Sequence, residues 1–353
     1  MVLKFLGCLN KMAKEKIVYL VVSPFQLYAA ILDFYENKDK FDGYIYYSRY
    51  ANDNRNNYQE VVNKLDLENL YYYEFDVKFV GFVRDKKISL IKKNTNRINK
   101  ISYIINHFKQ IKQNVLQADI VKLGDRYNLE GAVIAKFLKA KELVYLGDGA
   151  SLIFEKYRIQ ESRWIRILFE KIFNLKRPKE ILENKEDFFK NKWKFIGEHY
   201  SNLPIKEETW VFGQSSYFIK PSSTYSYSEF AKDAIKEDKV FNSNVYFNVM
   251  KKIKQKYNES KLLYFPHRNE PVTQELLDLF EISEFKYFSE ILPFMLGYLP
   301  KTIIGSSTTI FSFYNINQHL ENKIEILYYS VSPMVDEVYD NYGAKNLDQE
   351  LGI

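Results

Sequence analysis

Three short stretches of this chain place reactive side chains where α/β folds bind ligands. Lys261–Glu270 reads KLLYFPHRNE, an apolar run that stops at Pro266 and at once presents His267 and Arg268. A strand ending this way delivers polar groups to the edge of a parallel sheet. His267 can give a proton or hydrogen bond to a departing phosphate, although a lone histidine is as readily structural. Arg268 can pair with a phosphate or carboxylate through two parallel N–H bonds. Thr302–Phe313, TIIGSSTTIFSF, is a short apolar strand followed by Gly305, the Ser306-Ser307 turn and a helical pattern. Free N–H groups and the helix dipole favour an anion at such a turn, and the same serines can cap the helix; the two uses are compatible. Asp148 stands between Gly147 and Gly149 after a predicted strand. An unhindered carboxylate there can take a proton from a bulky hydroxyl compound, while Asp-Gly equally marks a turn.

The elements that must position these groups alternate. KIVYLVVS (Lys16–Ser23) is a β-branched run of the kind buried on both faces of a parallel sheet, and Ser23-Pro24 reads as N-cap and first-turn proline of a helix over Phe25–Glu36. Strands are expected at Asp42–Tyr47, Tyr71–Phe82, Asp119–Leu123 and Glu142–Leu146, with helices at Tyr58–Leu67, Lys92–Gln117 and Leu129–Ala140. Phe154 to Ile196 reads as helical and basic, with an apolar stripe from Trp164 to Ile172 that suits a core helix or a surface resting on a membrane. A linker begins at Asn202-Leu203-Pro204, and Trp210–Gln214 opens a second domain. There the pattern predicts helices at Ser226–Lys236, Ser243–Tyr257, Val272–Phe280, Ser289–Tyr298 and Thr308–Tyr314. Strands are expected at Leu262–Phe265, Phe285–Tyr287, Thr302–Ile304 and Ile324–Tyr328. The alternation argues two Rossmann-like parallel-sheet domains facing a cleft: an extension over 1–15, domains over 16–204 and 205–332, and a helical tail over 333–353.

Composition narrows the class. A chain of 353 residues, 46% hydrophobic and 27% charged, is globular and long enough for two cores. Its 29 Tyr and 27 Phe are read as base composition in preference to a stacking function. The single Cys8 excludes a disulfide framework, and His107, His199, His267 and His319 lack metal-ligand spacing. Met1–Leu9 lacks a cleavage site, Met12 is an alternative start, and a cytoplasmic protein is expected. The net charge of +6 gathers at Lys86–Lys100 and Arg158–Lys179, without a nucleic-acid-binding signature; anionic lipid or an anionic donor suits it as well.

With these clusters in view, the chain resembles bacterial GT-B sialyltransferases, the group of the lipooligosaccharide enzymes (glycosyltransferase family 52) and the capsule polysialyltransferases. The resemblance rests on Gly147-Asp148-Gly149, Pro266-His267-Arg268 and Ser306-Ser307, in that order. Val22-Ser23-Pro24-Phe25-Gln26-Leu27, Val211-Phe212-Gly213-Gln214 and Glu290-Ile291-Leu292 support it. It implies inverting transfer of sialic acid from CMP-sialic acid to a sugar hydroxyl, without a metal or other cofactor. Residues 16–204 would be the acceptor side and 205–332 the CMP-donor side. Asp148 would be the base, His267 would assist the departing phosphate held by Ser306 and Ser307, and Glu290 would hold the ribose. Arg268, Gln26 and Gln214 would join in substrate binding. A glycan acceptor, peripheral contact with the inner membrane and a homodimer are the implied partners, with no nucleic acid. Gly147 departs from the acidic pair of that group, leaving Glu155 and Asp125 as further candidate bases. The alternatives are a different CMP- or CDP-activated donor, such as a Kdo type or a polyol, and a non-catalytic paralogue.

Overall fold

The computed structural model describes residues 14–50, 57–77, 104–124, 129–146, 171, 174, 194–213, 243–267, 270, 272–284, 287, 289–306, 324–329 and 344–352. Two wholly parallel sheets organise them. The first holds β1 (Glu15–Val21), β2 (Phe41–Tyr50), β3 (Leu70–Val77), β4 (Ile120–Leu123) and β5 (Glu142–Tyr145), in the order β3-β2-β1-β4-β5. The second holds β6 (Ile205–Phe212), β7 (Lys261–Phe265), β8 (Glu281–Ile282), β9 (Leu299–Gly305), β10 (Glu325–Tyr328) and β11 (Lys345–Asn346), in the order β11-β10-β9-β6-β7-β8. In each sheet the first strand in chain order is central. The second and third run outward on one side and the later strands on the other, the doubly wound Rossmann order. The expected α/β class with two such sheets is what the chain adopts.

Strand periodicity explains why both faces of the first sheet are covered. Ile17, Tyr19 and Val21 of β1 enter one core with α1 (Pro24–Asn37), whereas Val18 and Leu20 enter another with Ile111, Val115, Ile134 and Leu138. The second core is supplied by the helical residues 104–114 and by α3 (Leu129–Phe137); α2 (Tyr58–Leu65) precedes β3. The tyrosines are largely structural. Tyr44 stacks on Tyr71 and Tyr46 on Tyr73, with centroids 5.1 and 4.9 Å apart, across paired positions of β2 and β3.

Ser23 caps α1 by accepting the Gln26 N–H at 3.3 Å, with Pro24 in the first turn, as its sequence requires. In the second unit α4 (Ser243–Lys256) and α5 (Gln274–Leu279) flank the strands.

Several boundaries differ from the sequence reading. β6 begins at Ile205, not Trp210, because Lys206, Glu207, Glu208 and Thr209 are polar and hide the strand's apolar signature. β8 lies at Glu281–Ile282; of the strand expected at Phe285–Tyr287 only Tyr287 is among the described residues, and it lies in a bend. The helix expected over Ser289–Tyr298 is a 3₁₀ turn (Ser289–Ile291) followed by the short α6 (Leu292–Leu296). Pro293 supplies no N–H to a continuous helix, and Gly297, at φ +74°, ends α6 with its N–H on the Pro293 carbonyl at 2.8 Å. Among the described residues of the tail read as helical, Lys345–Asn346 is a strand paired with β10 and α7 (Asp348–Leu351) is helix. The expected helices at Ser226–Lys236 and Thr308–Tyr314, and the Trp164–Ile172 stripe, lie outside the described residues. Among the described residues no helix is long and apolar enough to cross a membrane.

Candidate functional site

The Rossmann order places a switch point at the carboxyl ends of β6 and β9, and β7 adjoins it. Phe212 pairs with Phe265, and Val211 with Ile304, so Gly213 follows between the strand ends that carry Pro266-His267 and Gly305-Ser306. Ligands of open α/β sheets bind at this edge.

β7 stops because Pro266 has no N–H to extend the ladder. His267 follows, half-buried. The chain then turns back on itself, for the Glu270 N–H reaches the His267 carbonyl at 2.8 Å and the His267 N–H reaches Glu270 Oε2 at 2.9 Å. Glu270 is a carboxylate only 2% exposed. Its Oε1 accepts the hydroxyls of Tyr264 at 2.5 Å and Tyr246 at 3.0 Å, and those two hydroxyls also touch each other. Burial, and then the neighbouring hydroxyl and carboxylate, push both tyrosines far above their ordinary range, so they act as donors and not as acids. Gly213 makes room for the cluster: a β-carbon there would stand 2.9 Å from Glu270 Cδ and nearer still to Oε2. Its own N–H bonds the Phe265 carbonyl at 2.9 Å. Sequence reasoning singled out His267 and passed over Glu270. The available signal was an acid three residues past the histidine, with a tyrosine two residues before Pro266.

Ser306 follows β9 and is fully buried, and the Gly305 carbonyl accepts the Tyr329 N–H at 3.1 Å. Ser307, Arg268 and Gln214 lie just outside the described residues, next in chain to Ser306, His267 and Gly213.

At the first sheet's switch point, Gln26 is buried and its Oε1 accepts the Val22 N–H at 2.8 Å. Its carboxamide rests on Gly124, whose N–H bonds the Leu20 carbonyl at 3.0 Å. The residue expected to bind substrate therefore also fastens the end of β1 to α1. Asp148, Asp125 and Glu155 lie outside the described residues; Asp148 follows Leu146, whose N–H is tied to the Leu123 carbonyl at 2.8 Å.

Glu290 stands in the seam between the two units. Its carbonyl accepts the Tyr200 hydroxyl at 2.8 Å, and its buried carboxylate adds to burial in raising the Tyr28 hydroxyl on α1. Nearby, Lys64 reaches the Met295 carbonyl at 2.8 Å, and Tyr287 donates to Glu60 at 2.7 Å. Phe294 packs against His199 and Phe195, with centroids 5.3 and 6.1 Å apart. The structure thus brings His267, Ser306 and the missed Glu270 to one sheet edge, Gln26 to the other sheet's edge, and Glu290 to the seam. Among the described residues no group of three or more His, Cys, Asp or Glu side chains is placed to hold a metal.

No family model matches the chain, and no curated protein matches its sequence. Solved structures similar to it include an α/β-galactoside α-2,3-sialyltransferase from Photobacterium phosphoreum, 13% identical over 96% of each chain, with a TM-score of 0.41. A UDP-N-acetylglucosamine 2-epimerase is 9% identical over 96% of this chain and 85% of that one, with a TM-score of 0.45. MurG of Acinetobacter baumannii is 11% identical over 94% and 85%, with a TM-score of 0.34. Likeness of this degree assigns no family and no substrate, so the functional reading rests on the residues.

Proposed function

We propose that the chain is a GT-B glycosyltransferase that moves sialic acid, with inversion, from CMP-sialic acid to a sugar hydroxyl of lipooligosaccharide or capsule. The observation that carries this reading is the second switch point. It sets His267, on a clamped turn, one strand away from Gly213 and two from the Gly305-Ser306 turn. An anionic leaving group at that edge would lie between His267 and the Ser306-Ser307 turn, the two groups from which the sequence offers it hydrogen bonds.

In the proposed step the bond from the sialic acid anomeric carbon to the phosphate oxygen breaks as the acceptor oxygen bonds to that carbon. The acceptor proton passes to Asp148, and CMP departs with hydrogen-bond or proton support from His267. Ser306 and Ser307 bind the departing phosphate at the turn after β9. Arg268 pairs with a donor anion, Glu290 binds the ribose, and Gln26 and Gln214 join in substrate binding. The leaving group is already a phosphate ester, so the step calls for no Lewis acid or other cofactor. Such a donor is made in the cytoplasm, and the acceptor would bring the protein to the inner membrane surface.

Gly147 favours a second reading, in which the site binds a nucleotide without turnover, because the acidic residue that the resembling enzymes carry there is missing. Calorimetric titration with CMP, UMP and inorganic phosphate, followed by a screen of cytidine-activated donors, separates the readings. Preferred binding of CMP with turnover of CMP-sialic acid supports the proposal, and turnover of a Kdo or polyol donor redirects it. CMP binding without turnover of any donor supports the second reading, and absence of CMP binding overturns both.

A further inference from the structure

The Glu270 carboxylate has no part in the step just described, yet three donors and a glycine are arranged around it. Its two oxygens do different work. Oε1 is held by hydroxyls from the core, Tyr264 of β7 and Tyr246 of α4. Oε2 points the other way, to the main-chain N–H of His267. The carboxylate is thus a strap between the packed interior of the second unit and the first residue of the loop that carries the candidate histidine. The return bond from the Glu270 N–H to the His267 carbonyl closes that loop into one turn. Gly213 completes the arrangement, since any side chain there would occupy the carboxylate's space.

We propose that Glu270 is a positioning residue for His267, fixing its main chain so that the imidazole faces an anion at the sheet edge. The anion rests on the phosphate-edge reading above; the positioning does not. Burying a carboxylate is costly unless donors meet it, and here they come from the fold itself, so the arrangement holds the turn before any ligand arrives. Gln at this position keeps one acceptor for the His267 N–H. Met keeps the length and has none.

The test uses the full chain with 15N-labelled histidine, which gives main-chain signals only from its four histidines. His267→Ala assigns the signal of interest. In Glu270→Met, and in Gly213→Ala should the first fail to fold, the His267 amide signal shifts and exchanges about tenfold faster, while those of His107 and His199 stay in place. Glu270→Gln restores most of the protection. An unmoved His267 signal in the folded variants overturns the proposal. In parallel, CMP affinity falls about tenfold in Glu270→Met and falls no further when His267→Ala is added. Equal loss with and without the histidine overturns the route through His267. A wild type that binds no CMP sinks the nucleotide reading, and the amide signals alone then decide the positioning.

Discussion

Gln26 occupies the space that a side chain on Gly124 would need: a β-carbon there would stand 2.7 Å from Gln26 Cγ and closer to its amide oxygen. That oxygen holds the Val22 N–H, so the end of β1, the cap of α1 and the end of β4 are fastened at one point. Gly213 and Glu270 repeat the device in the second sheet. Each pairs a glycine just past a strand at the switch point with a buried polar side chain from another element.

Gly124→Ala is therefore expected to displace Gln26 and free the Val22 N–H, costing about 2 kcal/mol from overpacking and a lost buried hydrogen bond. Adding Gln26→Ala to the variant relieves the clash without restoring the bond. Urea unfolding of the single and double variants checks both expectations, and additive losses would show that the two residues do not compete for space.

A second prediction concerns Asp33 of α1, whose carboxylate takes Lys122 Nζ at 2.7 Å on both oxygens and the Tyr19 hydroxyl at 2.7 Å. Both members of the ion pair are largely covered, with side chains 14% and 18% exposed. Lys122→Met leaves Asp33 with one described donor and should cost about 3 kcal/mol. Lys122→Met with Asp33→Leu should recover much of that loss, as measured by denaturant midpoint.

Much of this was legible from sequence, and for physical reasons. β1 and α1 announced themselves because Ile17–Val22 is an unbroken apolar run and Ser23-Pro24 is a strong helix start. Pro266 marked the end of β7 because a missing N–H cannot be disguised. What escaped depends on tertiary partners. The polar start of β6 is strand only because β9 pairs with it, and Lys345–Asn346 is strand only because β10 lies beside it. Glu270 carries little signal of its role in sequence, since Tyr246, 24 residues before it, comes to it only in the fold. Glu290 was read as a ribose ligand, with no hint that it would meet Tyr200 and the field of Tyr28 across a seam.

Acid sensitivity supplies a third prediction. His107 packs on the Phe75 ring at 4.1 Å, and burial pushes it down to about 4 from an ordinary 6.5. The unfolded chain thus binds the extra proton first as pH falls. This residue's contribution is complete above about pH 6.5, is lost at up to about 1.4 kcal/mol per pH unit down to about pH 4, and changes no further below it. His107→Phe should lose about 2 kcal/mol less than wild type between pH 7 and pH 5. Denaturant unfolding at the two pH values measures the difference, and equal losses would contradict it.

The most direct test of the central claim is CMP release from CMP-N-acetylneuraminic acid, with and without a lactose-terminated acceptor, by wild type, His267→Ala and Asp148→Asn. The account predicts release that the acceptor stimulates in wild type and that falls by at least about a hundredfold in each variant. Unchanged release in His267→Ala, at equal protein stability, would contradict it.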